Sequence, residues 1–504
     1  MTATQRRQRE EASTVRENLR RTPQPAVVWL SVAVGLVTLQ LGAILEFGSS
    51  IAVDVARAIN GMGALPLTIG TEALRGVEQA ATEVPRLLSR ETIPNNGLYS
   101  TASEQWVTGP VFFDGQAWVG TFMGLEPALA WALRVVVVYT YSFVGLSWLW
   151  VGYRWFRRHY RVADWTPRDD IVDRFRSHYW GLFGLIVVLL FLTTVLFGPA
   201  LAPATNQANN VDPYSYEIQY WNADAGAVER ATVGTANSDS ISTGSTNVGL
   251  WSYDDYGRFH PFGTLPPGQD LFTFIMYGAR LSLIIGLTAV GLSTGIAAML
   301  AMVSAYYKGN VDLGLVLLSD SIMALPALLV IIMLSVLFGG TWIANIYSGG
   351  LLLAVIFVAT GWPALWRAIR GPTFQTAERE WVDAARASGI GPITIMRKHV
   401  LPYVVGYLLV YGSMNLGGVI IGIAGLSYLG LGVNPPTPEW GRAIGMGQPY
   451  IGTPSWHISI LPGILITVVV IGFNALGDGI RDAIDPQFDT EAADTGGVER
   501  GGGA

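Results

Sequence analysis

Long apolar stretches constrain this chain more than any other feature of its 504-residue sequence. Each contains about 20 mostly apolar residues, the length that a helix needs to cross a bilayer. Backbone polar groups must be paired within lipid, so such stretches form helices. The sequence therefore predicts an all-α polytopic membrane protein with about eight transmembrane helices. The stretches lie near residues 26–48, 129–153, 180–202, 279–305, 313–339, 349–367, 403–427 and 459–480.

Composition agrees with this class and excludes several others. Charged residues make up 13% of the chain, against about 25% in a soluble domain. The chain has no cysteine, which excludes disulfides, thiolate metal sites and cysteine nucleophiles. Its five histidines show no metal-ligand spacing, and no HExxH, GxSxG or phosphate-loop lysine motif occurs. We therefore expect no catalytic residue, no metal site and no cofactor.

The basic residues are almost all arginine. Only Lys308 and Lys398 are lysine among 31 basic residues, and acidic residues number 37. Scarce lysine with excess carboxylate resembles the usage of proteins from high-salt cytoplasms, so we expect a halophilic archaeon as the source. A genome rich in G and C favours arginine codons and explains the same usage.

Lysine and arginine counts in the connecting segments predict the sidedness of the chain. Residues 1–25 hold six arginines, residues 154–179 hold seven, and residues 368–402 hold five basic residues. The segments 49–128 and 203–272 are long, acidic and poor in arginine. With eight spans, this pattern places the basic segments and both termini in the cytoplasm and the two long loops outside. The basic run 154–161 lies beside a span, so we expect contact with anionic membrane lipid and not with nucleic acid.

One cytoplasmic segment contains the most specific pattern. Helix formers predict a helix from Phe374 to Ser388, which Gly389 ends. Trp381, Ala384, Ala385 and Ser388 share one face of that helix, while Asp383 and Arg386 lie on another. A second short helix is predicted at about 392–399, and Pro402 is expected to open the next span. We expect this helix–turn–helix to offer its small-residue face to another protein.

This segment resembles the cytoplasmic loop of binding-protein-dependent ABC importer permeases. That loop reads Glu-Ala-Ala, three residues, Gly, nine residues, Ile-x-Leu-Pro. This chain has Ala384, Ala385, Gly389, Leu401 and Pro402 at the matching positions. Asp383 replaces the glutamate and His399 the isoleucine; the dipeptide and oligopeptide (nickel) branch of the family often has histidine there.

Further segments resemble the C-type subunit of the same branch. They are 260–286, 318–329, 426–444 and 473–487, although Leu265 and Gln269 depart from the family pattern in the first of them. The resemblance covers about residues 180–487, and residues 26–179 form an N-terminal extension with two extra spans and a long outer loop. Residues 1–25 are expected to form a cytoplasmic tail and residues 488–504 a disordered, acidic, Gly-rich tail.

The resemblance implies a transmembrane subunit of an ATP-driven importer for dipeptides or oligopeptides, without ATPase motifs of its own. Six of the eight spans would form the type I ABC importer permease core. A second permease subunit, expected to be different in sequence, would complete the pathway in the cell membrane. Two cytoplasmic ATPase subunits would dock on the loop at 368–402, and an external binding protein would deliver substrate. The alternative is the same architecture carrying nickel or another small solute.

Four polar residues inside the apolar stretches are candidates for the pathway or for contacts between helices. An intramembrane carboxylate such as Asp320 is costly and therefore indicates function, although a structural hydrogen bond explains it equally. Asn415, Asn474 and Asp478 are more typical of polar contacts between helices. An intramembrane enzyme using Asp320, Asp478 or a histidine remains a second hypothesis, and a secondary transporter with repeated halves a third.

Overall fold

The computed structural model describes residues 15–42, 45, 86–100, 117–161, 166–222 and 224–484. Helices dominate these residues, and each strand pairs with a single antiparallel partner. The strands are β1 Leu98–Ser100, β2 Ala117–Val119, β3 Glu217–Asn222, β4 Ala227–Thr232, β5 Ser252–Tyr253 and β6 Phe259–His260. The helices are α1 Val15–Arg21, α2 Gln24–Leu39, α3 Pro127–His159, α4 Pro167–Ser177, α5 Tyr179–Leu201, α6 Val233–Asp239, α7 Leu271–Tyr307, α8 Gly309–Met323, α9 Ala327–Phe338, α10 Gly350–Ala377, α11 Glu380–Ala387, α12 Pro392–Ile395, α13 Leu401–Tyr428, α14 Trp440–Gly447 and α15 His457–Ile484.

Six helices in the described ranges are long and apolar enough to span a membrane, which confirms the fold class. They contain α3, α5, α7, α10, α13 and α15. Within the described ranges the expected count of eight is not reached, because one of the eight stretches is bent and another is described only in part. The stretch at 313–339 forms the bent pair α8 and α9, and the stretch at 26–48 gives the shorter helix α2.

The bent pair is one broken span. α8 and α9 meet at an angle of 82°. The break falls just before Pro326, where the proline ring disfavours helical geometry at Leu325 and removes a backbone donor. α8 follows the C-terminal end of α7, and α9 leads through residues 342–349 to α10, which begins beside Ile285 in the N-terminal half of α7. The chain must therefore cross the bundle between these points.

α2 lies antiparallel along α3. The indoles of Trp29 and Trp148 each donate to the other residue's carbonyl oxygen, at 3.0 and 3.1 Å. The Tyr141 hydroxyl donates to the Leu36 carbonyl at 2.6 Å, and the Ala26 amide donates to the Tyr160 hydroxyl at 2.9 Å. Most of the residues that would extend α2 to position 48 lie outside the described ranges, as do the tails 1–14 and 485–504.

Close backbone contacts at glycine hold the family core together. A Cβ atom on Gly184 of α5 would lie 2.3 Å from the Leu476 nitrogen of α15. A Cβ on Gly441 of α14 would lie 1.9 Å from the Ala424 oxygen of α13. Real Cβ atoms do not approach the backbone this closely, so a larger residue would not fit at either position. With glycine there, the helices lie close enough to make dispersion contacts along their interface.

Contacts divide the bundle into two ends. At one end, residues 86–98 and the segment between α5 and α7 cover α3, since Arg134 donates to the carbonyl oxygens of Ile93 and Ala202 at 3.1 and 3.2 Å. At the other end, His178 lies 3.0 Å from Asp482, beside the basic end of α3. The two long acidic segments thus lie at one end in their described parts, and the arginine-rich segments lie at the other.

A buried polar network organises the acidic end. The imidazole of His260 lies between two carboxylates, with Nδ1 at 2.8 Å from Asp270 and Nε2 at 3.4 Å from Asp254. Burial disfavours the charged imidazole, but hydrogen bonds to Asp254 and Asp270 outweigh it and raise the pKa of His260. Asp270 also caps α7 by accepting the Thr273 amide at 2.6 Å. This network fixes the start of the longest core helix.

Candidate functional site: the cytoplasmic coupling segment

The coupling segment, residues 378–402, begins where α10 ends. The expected uninterrupted helix from Phe374 to Ser388 is wrong, because α10 continues to Ala377 and α11 starts at Glu380. Arg379 between them is extended, with φ −74° and ψ 143°. The turn lets α11 fold back and bury an apolar face that a straight helix would leave in solvent. The segment is therefore attached directly to a membrane helix.

α11 packs on its own chain through two residues. Val382 is 0% exposed and Ala385 is 6% exposed, and both contact Ile395 of α12. Tyr306 at the end of α7 covers the same apolar cluster. The expectation that Ala385 lies on the face open to a partner is therefore wrong. That face consists of the exposed Trp381, Ala384 and Ser388.

Gly389 makes the turn between α11 and α12. Its φ of +75° lies in the left-handed region, which residues with a Cβ disfavour. The Gly389 amide donates to the Arg386 carbonyl at 3.0 Å, and the Ile390 amide to the Ala385 carbonyl at 3.2 Å. This pair of bonds is a Schellman motif, and Ile390 adds the apolar contact that accompanies it. Glycine is required here by conformation alone, since a Cβ would meet no atom within 4 Å.

Charged side chains tie α11 to the end of α7. The Arg386 guanidinium lies 4.7 Å from the ring centroid of Tyr306 and 3.5 Å from the Asp383 carboxylate. The Lys308 ammonium binds the Glu378 carboxylate at 2.9 Å. Arg386 thus contacts its own chain, while Asp383 remains largely exposed. Solvent screens these exposed pairs, so they orient the segment more than they stabilise it.

The second half of the segment is continuous with α13. Residues 396–400 form one turn of π-helix, in which the Leu401 amide donates to the Met396 carbonyl. Pro402 follows in the first turn of α13 and has no amide to donate, so the wider turn accommodates its ring. Pro402 is exposed, and His399 and Leu401 are half-buried. The helix expected at 392–399 and the next span therefore form one continuous helical element, Pro392–Tyr428.

Two ion pairs connect α8 to the C-terminal half of α10. The Arg370 Nε donates to the Asp312 carboxylate at 2.8 Å, and Ser304 of α7 donates to the same carboxylate. Further into the membrane region, Arg367 pairs with Asp320, whose side chains are 45% and 50% exposed. Asp320 therefore has a charged partner, Arg367, on a neighbouring helix. The C-terminal half of α10 is thus joined to the broken span by two ion pairs.

The other intramembrane candidates do not form one site with Asp320. Asn474 donates to the Val470 carbonyl of its own helix at 3.0 Å. Asn415 lies in the middle of α13, and Asp478 lies one turn after Asn474; both are half-buried. No group of three or more His, Cys, Asp or Glu residues in the described ranges is arranged to hold a metal ion.

Sequence reasoning missed several residues that position the segment. Tyr306, Lys308 and Arg370 lie outside the motif, and only their spacing from the ends of apolar stretches indicated that they lie at the inner end. Glu439 at the acidic end was also missed: it is 0% exposed and caps α14 by accepting the Arg442 amide at 3.1 Å. Burial raises the pKa of Glu439 to about 7.

A broken span beside five long core helices, with a helix–turn–helix attached to the C-terminal end of α10, is typical of the membrane subunit of a transporter. The family described as binding-protein-dependent transport system inner membrane component matches residues 293–490, which include the whole coupling segment. The N-terminal transmembrane domain of oligopeptide transport permease C matches residues 166–224. Residues before 166 lie outside both matches.

Curated relatives extend the same similarity. Proteins named glutathione transport system permease protein GsiD, from Escherichia coli O6:K15:H31, Shigella boydii and Shigella sonnei, are each 35% identical over 324 residues. The match covers 64% of this chain and 91% of each relative. The chain therefore belongs to the permease family of binding-protein-dependent ABC importers, as its sequence motifs predicted.

Proposed function

We propose that the chain forms one half of the translocation pathway of a peptide importer in the cell membrane, paired with a different permease subunit. The relatives named for glutathione transport support a peptide-like substrate. The broken span supports a partner, because Asp320 and Arg367 are half exposed within an apolar helix pair. Lipid contact would leave this ion pair poorly solvated, whereas a second subunit or an aqueous pathway would not.

The coupling segment is the proposed docking site for a cytoplasmic ATPase. The observation that carries this proposal is the division of α11 into two faces. Val382 and Ala385 fix α11 to its own chain, so Trp381, Ala384 and Ser388 remain for a partner. Asp383 is available for a polar contact with that partner, and Arg386 holds the segment in place. Closure of the ATPases would then move α10 and α13 together.

We further propose that the basic end of the bundle is cytoplasmic. The arginine counts of the described segments 154–161 and 166–179 support this orientation. Both termini would lie inside, anionic lipid would contact the basic end of α3, and the external binding protein would contact the acidic end. Cleavage of residues 86–100 by protease added to intact cells would agree with this topology, and protection of that segment would contradict it.

An exposed alanine offers a direct test of docking. Ala384→Arg places a long cation at the centre of the free face without touching the buried face, so the ATPase subunits should no longer copurify from detergent. Thr22→Arg adds the same side chain at an exposed position outside the matched family segments and serves as the control. Copurification of the ATPases with A384R at the wild-type level would refute docking on this face.

A second test uses the turn. Gly389→Val forces a β-branched residue into the left-handed region, at a cost of about 1–2 kcal/mol or more. Uptake should fall while ATP hydrolysis and membrane insertion persist, because the turn no longer holds α11 against α12. Gly391→Val is the matched control, since Gly391 has φ −67° and also meets no atom within 4 Å. Equal uptake by both variants would count against the turn as a coupling element.

The substrate class remains open between peptides and other solutes. Nickel or another small solute would use the same pathway subunit, and the external binding protein would then decide the choice. Purifying that binding protein with its native ligand tests the peptide assignment, and a bound metal complex without peptide would replace it. Intramembrane catalysis has less support, because Asp320 is paired with Arg367.

A further inference from the structure

A basic cavity lies between the end of α3, which precedes both family matches, and α4. Its volume is about 860 Å³. Five arginines and one acidic residue, Asp173, line it. Three of the arginines belong to α3, one lies two residues after the end of α3, and one belongs to α4. The arginines are Arg154, Arg157, Arg158, Arg161 and Arg176. No part of the transport mechanism uses this cavity.

The cavity has a fixed wall. The Arg161 guanidinium donates to the Asp169 carboxylate at 2.9 Å and to the Thr166 hydroxyl at 2.8 Å. Asp169 in turn accepts the Thr166 amide at 2.9 Å, which completes a capping box at the start of α4. The hydrogen bond from Arg161 holds the pKa of Asp169 well below its usual range. The end of α3 is therefore locked to the start of α4 before any ligand binds.

The described residues supply few acidic partners for the remaining positive charge. Arg157 approaches the same Asp169 carboxylate at 3.5 Å, so two arginines share one acid. Arg154 and Arg158 are exposed and make no ion pair with any residue that the structure describes. A guanidinium binds phosphate through two parallel donors, so this group of arginines favours a phosphate ligand over a carboxylate of similar charge.

The cavity lies at the depth of lipid headgroups. α3 has 33 residues and is about 50 Å long, which exceeds a hydrocarbon core of about 30 Å. Trp150, Tyr153 and Trp155 line the cavity wall, and aromatic residues of this kind collect at the membrane interface. The Arg176 guanidinium lies 5.6 Å from the Trp150 ring centroid. The arginines are therefore just beyond the apolar part of the span.

An apolar cavity adjoins the basic one. Its volume is about 400 Å³, and Tyr153 and Trp155 line both cavities. Leu19, Ala26 and Trp29 complete its apolar wall. A molecule with a phosphate head and an apolar body matches this pair of cavities, whereas a free phosphate uses only one of them.

We propose that the basic cavity binds the phosphate headgroup of an anionic phospholipid from the cytoplasmic leaflet. The proposal makes the general lipid contact of the basic end specific, and it rests on the proposed orientation of the chain. The competing occupant is the acidic C-terminal segment, residues 485–504, because α15 ends beside α4 with Asp482 at 3.0 Å from His178. The aromatic wall and the apolar cavity favour lipid over this segment.

The test measures lipid binding by the purified full chain, independently of uptake. The chain is titrated in zwitterionic detergent with phosphatidylglycerol, phosphatidylcholine or inorganic phosphate, and melting temperature and bound lipid by native mass spectrometry are recorded. We expect retention and stabilisation by phosphatidylglycerol only. Arg154→Gln with Arg158→Gln should weaken the apparent affinity roughly 30-fold, since each arginine near a membrane surface contributes about 1 kcal/mol.

The control removes the same charge elsewhere. Arg20→Gln with Arg174→Gln changes two basic residues at the same end that do not line the cavity, and it should bind phosphatidylglycerol like wild type. Equal loss in both double variants would overturn the proposal in favour of unspecific attraction. Equal stabilisation by inorganic phosphate would overturn it in favour of a soluble anion.

A third variant separates the acidic segment from lipid. Truncation after Ile484 should leave the affinity for phosphatidylglycerol unchanged. If phosphatidylglycerol binds only after truncation, the segment occupies the cavity and the lipid proposal is wrong. ATPase copurification with A384R is measured separately from lipid binding. If lipid does not bind, the importer assignment stands, and if A384R refutes docking, lipid binding can still be tested.

Discussion

The extension helix α3 and the core helices use different means to pack in the same membrane. The most apolar window of α3 is 22% buried, whereas the corresponding windows of α5, α7, α10 and α15 are each 44% buried. All buried residues of α3 fall between Pro127 and Val138, in its outer third. The core is joined along its length by backbone contacts at glycine, while α3 is attached to the core by side chains near its N-terminal end.

This difference shows which kind of substitution should damage each region. In the core, small residues permit close contact, so added volume is the damaging change. In the extension, an arginine and tryptophans bind carbonyl oxygens across the gap, so loss of a donor is the damaging change. The inner part of α3 contacts α2 and α4 instead of the core, which leaves room for the basic cavity.

The largest effect is expected from Gly184→Leu. The new side chain would enter the space of the Leu476 and Gly472 backbone atoms, 2.3 and 2.6 Å from its Cβ, and α5 would be forced away from α15. We expect no folded, monodisperse protein in detergent. Gly145→Leu on α3 is the control, because a Cβ there meets no atom within 4 Å. Similar yields of both variants, measured by size-exclusion chromatography, would remove the contrast between core and extension.

Much of the core was predictable from these same signals. Apolar length gave the spans, and the order of the motifs gave the family, because both are local in sequence. The direction of the broken span and the position of Ala385 were not predictable. The direction in which α9 leaves α8, and the choice of which small residues α11 buries, depend on neighbours such as Tyr306 and Ile395 that are distant in sequence.

Arg134, near the N-terminal end of α3, was not predictable for a related reason. An arginine near the end of an apolar stretch usually extends into water. Instead it is 1% exposed and binds two carbonyl oxygens, one from residues 86–98 and one from the end of α5. Only the fold of the outer loop brings those acceptors together. The halophilic source, in contrast, remains a prediction from composition.

A smaller but clear loss is expected from Arg134→Met. The change keeps the apolar stem and leaves the carbonyls of Ile93 and Ala202 buried without a donor, at a cost of about 2 kcal/mol. Residues 86–98 should loosen, so trypsin should cleave faster after Arg90 in detergent. Arg154→Met at the exposed end of the same helix should change neither melting temperature nor cleavage rate. An unchanged cleavage rate for R134M would show that the loop is held by other contacts.

The core also carries a pH-dependent contribution to stability near neutral pH. The pKa of Glu439 is raised by burial to about 7, above about 4.3 in the unfolded chain. The folded state then keeps the Glu439 proton to a higher pH than the unfolded chain does. The stabilisation that results is complete below about pH 4.3 and is lost as the pH rises through about 7. The melting temperature should fall over this range, and His260, whose raised pKa acts with the same sign, should extend the fall above pH 6.5.

Glu439→Gln should flatten the curve between pH 5 and 7, because a neutral amide needs no proton. Glu126→Gln, which removes an exposed carboxyl of the extension that accepts the Tyr253 hydroxyl at 2.7 Å, should leave the slope unchanged. The comparison is made by thermal melts at constant salt. A slope that survives in E439Q would assign the pH dependence to another group, with His260→Asn as the next variant.

The smallest effect is expected from Trp29→Phe, which tests how firmly α2 holds to α3. The change removes one indole hydrogen bond to Trp148, and polar contacts between membrane helices contribute about 0.6 kcal/mol on average. Because the chain has no cysteine, a spin label on Ala33→Cys reports α2 alone. Ala33 follows Trp29 by one turn and is half-buried, so its label should gain mobility in W29F while melting temperature and uptake stay at wild-type values. Trp180→Phe, at a lipid-exposed position on α5, should leave the label unchanged. If W29F abolished uptake instead, the extension would be part of the transport machinery, and the contrast between a tightly packed core and a loosely attached extension would have to be abandoned.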